Sequence, residues 1–163
     1  MFMSDLIDIE KSITRLKRQL SDKRNTLVTI APEEKERIRQ QIEDLHEEIQ
    51  RFEQEKWEIL AEQSESLDFP EPEAETAVVE IVEAVAQLET QPVAYPEEVM
   101  QILWEIRDKL NEPGPTAAGK LKGILSSFPP FVGITYEAEL DTENFARQYF
   151  PTFTKLIKGA AKK

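Results

Sequence analysis

Apolar residues recur along the first third of the chain at alternating steps of three and four. Leu6, Ile13, Leu20 and Leu27 fall in one row. Ile9, Leu16 and Ile30 fall in the second, where Lys23 is the one gap. A repeat of about 3.5 residues held over several turns is the pattern of a helix with a coiled-coil seam. Ser4 is an acceptable N-cap for it, with Asp5 and Asp8 in the first turn. Pro32 stops this helix, because proline lacks the amide hydrogen and disfavours a helical residue before it. The same residue suits the first position of a second helix, with Glu33 and Glu34 following where the helix dipole favours them.

The second helix carries Ile38, Ile42, Leu45, Ile49 and Phe52 on one row, and Trp57, Ile59 and Leu60 on a slightly rotated face. Folding the two rows back on each other pairs Ile30 with Ile38, Leu20 with Leu45, Leu16 with Phe52 and Ile9 with Ile59. That register holds from turn to tip and brings Lys17 near Glu53. Residues 4–62 are therefore expected to form an antiparallel coiled-coil hairpin. A two-helix layer buries one seam only, so the hairpin should pack on more of the chain, on a copy of itself or on a partner.

Residues 63–76, with two prolines and repeated acids, read as an extended acidic linker. The remainder, 77–158, reads as a small α+β module. Val78, Ile81, Val82, Val85 and Leu88 stripe a third helix over about 76–90, and Pro92 marks a turn. A fourth helix starts at Pro96, is lined by Val99, Leu103, Ile106 and Leu110, and ends at Asn111-Glu112-Pro113-Gly114-Pro115. Ala117, Leu121, Ile124 and Phe128 share a helical face, although a strand over 120–127 also fits. Phe128-Pro129-Pro130-Phe131 reads as a turn. Val132, Ile134, Tyr136, Ala138 and Leu140 then alternate with polar or small residues, which predicts a strand. Its amides would need a partner, from 120–127 or from another chain. Asp141 or Thr142 should cap a last helix with Phe145, Tyr149, Phe150, Phe153, Leu156 and Ile157 on one face. Pro151 should kink or restart it. The expected fold class is mostly α, with one strand or β-hairpin near the end.

The run Gly119-Lys120-Leu121-Lys122, the Pro129-Pro130 pair and the stretch from Ile134 to Glu143 together resemble a short C-terminal module. Such modules occur in multidomain cyanobacterial and other bacterial signalling or defence proteins, beside TIR, caspase-like or NACHT units. The resemblance covers residues 117–158, holds no catalytic motif, and implies an association role without assigning any residue a function.

Charge changes the picture in one respect. The net charge is −12, which argues against a general nucleic-acid binder. The charge is unevenly spread. Residues 1–56 carry 13 acids and 11 bases, 57–106 carry 13 acids and no base, and 107–163 carry 6 acids and 9 bases. A balanced head, an acidic middle and a basic tail follow from those counts.

Candidate chemistry is sparse. There is no cysteine, so disulfides, thiolate zinc sites and thiol catalysis are excluded. His46 is the single histidine and flanks the seam, where a solvated side chain is expected. Glu137, Glu139, Asp141 and Glu143 lack an EF-hand loop around them and read as a solvated face. The glycines do not form a phosphate loop, and Ser126 and Ser127 lack a nucleophile elbow. No catalytic residue, cofactor or metal is expected. No signal sequence or membrane span is visible, so a soluble cytoplasmic protein is expected.

The expected function is that of a non-enzymatic adaptor or assembly module. Protein partners or self-association would use Leu6, Ile9, Ile13, Leu16, Leu20, Leu27, Ile38, Ile42, Leu45, Ile49, Phe52, Tyr136, Phe145, Tyr149 and Phe153. A second reading sets the aromatic face of the last helix, with Arg147, Lys155, Lys158, Lys162 and Lys163, on a membrane surface.

Overall fold

The computed structural model describes residues 2–91 and 95–162; the turn expected at Pro92 lies outside them. Helix α1 spans Phe2–Thr29 and α2 spans Pro32–Glu62. They pack against each other along the expected seam as an antiparallel hairpin. α1 begins at Phe2, so Ser4 is inside the helix instead of capping it. Ala31 is extended and Pro32 occupies the first turn of α2, as the missing amide allows.

The stretch expected to be an extended linker is folded. A 3₁₀ turn covers Ser64–Ser66, Leu67 and Phe69 are buried, and α3 starts at Glu71, running to Glu89. Pro70 precedes it as a helix start, and Ala74 and Ala77 are fully buried. The acids of this stretch line the surface, while its few apolar residues reach the core.

Helix α4 spans Glu97–Asn111 and α5 spans Ala117–Ile124, capped by Thr116, whose hydroxyl accepts from the Gly119 amide at 3.1 Å. A 3₁₀ turn over Leu125–Ser127 leads directly into α6, Phe128–Glu137. Here the structure corrects the expected strand: among the described residues there is none, and the segment is helical. The buried residues are Phe128, Phe131, Val132 and Thr135, which is helical spacing. Pro129 and Pro130 occupy the first turn of α6, where their missing amides cost nothing. The hydroxyl of Thr135 donates to the Val132 carbonyl at 3.0 Å, so the polar member of the buried row is satisfied within its own turn. A helix also removes the need for a strand partner.

The chain leaves α6 through Glu139, which adopts a left-handed φ of 61°. Leu140 N donates to Thr135 O at 2.7 Å and Glu139 N to Tyr136 O at 3.0 Å, the hydrogen-bond pair of a Schellman stop. Asp141 then caps α7, Thr142–Tyr149, by accepting from the Asn144 amide. Pro151 restarts the chain as α8, Pro151–Lys162.

One core joins α3 to α8 with the base of the hairpin. Leu6, Trp57 and Leu60 lie in the same buried cluster as Leu103, Ile106, Phe131, Phe150 and Phe153. The Trp57 ring stacks on Phe128 with centroids 4.4 Å apart, and Phe128 stacks on Phe153 at 5.3 Å. Two acids of α3 tie other helices to it. Glu71 accepts from the amides of Ala117 and Ala118 at 2.9 and 3.0 Å, at the start of α5. Glu80 accepts from the Thr152 amide at 3.0 Å and its hydroxyl at 2.7 Å, at the start of α8. Each carboxylate satisfies amides that have no partner within their own helix.

Candidate functional site

The densest polar cluster lies where the middle of the hairpin meets the α6–α7 turn. Lys17 projects from α1 between carboxylates of two other elements. Its Nζ is 2.6 Å from Glu143 Oε2, 3.3 Å from Glu53 Oε1 and 3.7 Å from Asp141 Oδ1. Glu143 also receives Arg147 at 3.0 Å. The Schellman stop at Glu139 and the Asp141 cap aim the first turn of α7 at α1, which is why acids distant in sequence converge on Lys17.

Glu53 is the buried member, 4 % exposed, and its Oε2 has no hydrogen-bond partner among the described residues. Burial pushes its carboxyl above the usual range, and the opposing pull of Lys17 does not cancel that. Burial also opposes the charge on Lys17, but Glu53, Glu143 and Asp141 outweigh it and hold the ammonium above its ordinary value. One ammonium shared among three carboxylates stays charged, while the most buried carboxylate is the least compensated. The Tyr136 phenol is raised as well, first by burial and then by the Glu53 charge.

A cavity of about 590 Å³ lies beside this cluster, between Leu20, Arg24, His46 and Ile49 of the hairpin and Glu139 to Asp141. The His46 Nε2 is 2.9 Å from Arg24 Nη2. A guanidinium only donates, so Nε2 accepts and the ring proton sits on Nδ1. Burial and then the Arg24 charge push His46 below its usual pKa, consistent with a neutral ring. Lys17 lines this cavity, and Glu53 is not among its lining residues. Chemically the cluster is an ion-pair junction between hairpin and α6–α7. Among the described residues no group of histidines and acids is placed to hold a metal ion.

A second concavity, about 610 Å³, opens between α1 and α8. Leu6, Ile7 and Ile157 form its floor, and Lys11, Arg15, Arg18, Lys56 and Lys158 surround it. Lys56 pairs with Glu10 across the α1–α2 seam.

The residues expected to form interaction surfaces are placed as follows. Leu6, Ile9, Ile13, Leu16, Leu20, Ile38 and Ile49 are buried, and Leu27, Ile42, Leu45 and Phe52 are half-buried. Leu6 belongs to the main core, and Leu16, Leu20 and Ile49 form a smaller cluster against which Ile42, Leu45 and Phe52 pack. Tyr136 is half-buried at the Lys17 junction. Phe145 and Phe153 are in the core, and the Tyr149 hydroxyl is 3.1 Å from that of Tyr95, whose pKa burial pushes up to about 12. The pairing of Lys17 with Glu53 follows the expected register. The approach of Asp141 and Glu143, and the row formed by Ile7, Lys11, Arg15 and Arg18 on the outer face of α1, had no place in the sequence reading. That row was legible as a helical spacing of bases with an apolar residue at its head.

Comparison with family models, curated proteins and solved structures finds no match to this chain. No helix among the described residues is long and apolar enough to cross a membrane.

Proposed function

We propose that the chain is a non-enzymatic adaptor or assembly module that works through protein–protein contacts. The observation that carries this reading is the division of labour on α1. Its seam face is consumed inside the molecule, while its outer face presents Ile7, 41 % exposed, at the head of a row of bases beside a concave apolar floor. On a chain of net charge −12, a concentrated cationic, partly apolar surface is the feature that packing does not account for. In this reading the module is cytoplasmic and needs no cofactor. A setting in a bacterial signalling or defence assembly is supported by the resemblance of residues 117–158.

Light scattering of the full chain across concentration, together with cross-linking in the host cell, tests the proposal. Cross-links from the outer face of α1 to a second polypeptide, a copy or another protein, are the expected result. A strict monomer without such cross-links removes the reading. The membrane-surface alternative is weakened by packing: Phe145, Phe150, Phe153 and Ile157, the face it needs, lie in the core. Liposome flotation of the full chain, expected to leave it in the soluble fraction, decides between the two.

A further inference from the structure

We infer that the α1–α8 groove takes the outer face of α3 from a second copy of the chain, a head-to-tail contact that rests on the assembly reading above. Both halves of the contact are present on one molecule. In the groove, Lys11, Arg15, Arg18 and Lys158 carry no ion pair among the described residues, and Ile7 stands exposed at one end. Glu10, the acid at the rim, is already committed to Lys56.

On α3, the exposed face is the complement. Val79 is 53 % exposed, and Glu75 and Glu83 lie one turn to either side of it, both exposed and unpaired among the described residues. Of the other acids of this helix, Glu71 and Glu80 cap α5 and α8, Glu89 pairs with Arg107 at 2.6 Å, and Glu73 is exposed in the first turn. The stretch 57–106 contains no base, so α3 itself carries no charge that repels a cationic groove.

The dimensions agree. Glu75 to Glu83 spans about 12 Å of helix and Ile7 to Arg18 about 16 Å, at 1.5 Å per residue. Seating Val79 on the Leu6–Ile7–Ile157 floor sets one glutamate one turn along, at the level of Lys11. Groove and acidic stripe are different surfaces, so the contact is heterologous and leaves a free groove and a free stripe at the ends of each assembly. A single helix face in a shallow groove is a small interface, which favours a weak and salt-sensitive association.

Sedimentation velocity of the full chain at about 0.15 M salt tests this. There the screening length of about 8 Å suppresses the general repulsion of like-charged molecules while contact pairs survive. The wild-type chain is expected to associate with rising concentration and to dissociate near 1 M salt. Lys11→Glu with Arg15→Glu, and separately Glu75→Lys with Glu83→Lys, should each weaken association about tenfold or more, because like charges then face each other. Mixing the two variants should restore it, because each inverted surface meets its match. All of these positions are exposed and unpaired, and circular dichroism checks that the variants remain folded.

A wild-type chain that stays monomeric at every salt concentration overturns the inference. So do variants that associate like the wild type, or a mixture that fails to associate while the wild type does. In those last two cases the assembly reading stands, because association then uses another surface. A monomer with host cross-links leaves a different partner, and a monomer without them ends both. Sub-micellar dodecanoate that shifts the groove resonances of a monomeric chain also overturns the inference and assigns the groove to an acyl anion.

Discussion

Lys17 serves Glu53 and Glu143 at once, yet the pKa values of the two carboxyls are displaced in opposite directions. For Glu53 burial dominates and its pKa rises. Its protonated form is favoured by folding, so stability falls as pH rises from the usual glutamate value through the folded one. For Glu143 burial also pushes upward, but the hydrogen bond and charge of Lys17, with Lys56 and Arg147, outweigh it and the pKa falls. Its contribution is present above the usual glutamate value and is lost as pH drops through the depressed one. Two substitutions separate these effects. Glu53→Gln mimics the protonated acid, so it should be at least as stable as wild type near pH 7, with the difference closing as pH falls into the glutamate range. Lys17→Met leaves several carboxylates facing one another. It should cost about 2 kcal/mol near pH 7, discounted from a fully buried pair because Lys17 is partly solvated, and less in acid. Urea midpoints at the two pH values read both. A Glu53→Gln variant that loses stability steadily as pH rises would contradict the burial argument.

At the scale of elements, α3 is a hub whose acids hold other helices by their first turns. Glu71→Gln and Glu80→Gln keep the volume but remove the charge and one acceptor. Each should cost about 1 kcal/mol in urea denaturation. The double variant should be close to additive, since the carboxylates serve different helices. These roles explain why the acidic middle misled a reading by composition. Proline and glutamate at 70–75 mark solvated chain in the absence of tertiary contacts. Here Pro70 starts a helix, Glu71 caps another, and Leu67, Phe69 and Ala74 are buried beneath them. The strand expected over 132–140 failed for a related reason. Of the alternating row only Val132 is buried, while Ile134, Tyr136, Ala138 and Leu140 are half-buried. The row that faces the core includes Thr135, a polar residue that pattern matching discounts. By contrast, the heptad rows, the break at Pro32, the restart at Pro151 and the Asp141 cap were legible. Each depends on local backbone chemistry or on a repeat long enough to outweigh exceptions. The Lys17–Glu53 pair was legible from the register alone, whereas the acids of α7 needed the turn at Glu139 to bring them in.

The whole molecule is anchored at one end of its longest element. At the base of the hairpin, Leu6, Trp57 and Leu60 belong to the core formed by α3 to α8. In the middle, Leu16, Leu20 and Ile49 form a smaller cluster, propped by Tyr136 and the Lys17 junction. Toward the tip, Leu27 and Ile30 are only half-buried and Val28 is 81 % exposed. A helical pair with one seam opens more readily than a core closed on all sides. Amide exchange should therefore be slowest around Trp57 and Phe128 and quicken steadily toward residues 22–45. Leu27→Ala should accelerate exchange in the tip while moving the free energy of global unfolding by less than about 1 kcal/mol. Phe128→Ala removes a ring that stacks on both Trp57 and Phe153, so it should cost about 3–5 kcal/mol and accelerate exchange throughout. Equal protection from base to tip, or a Leu27→Ala effect that spreads through α3 to α8, would mean that the hairpin and the core unfold as one unit.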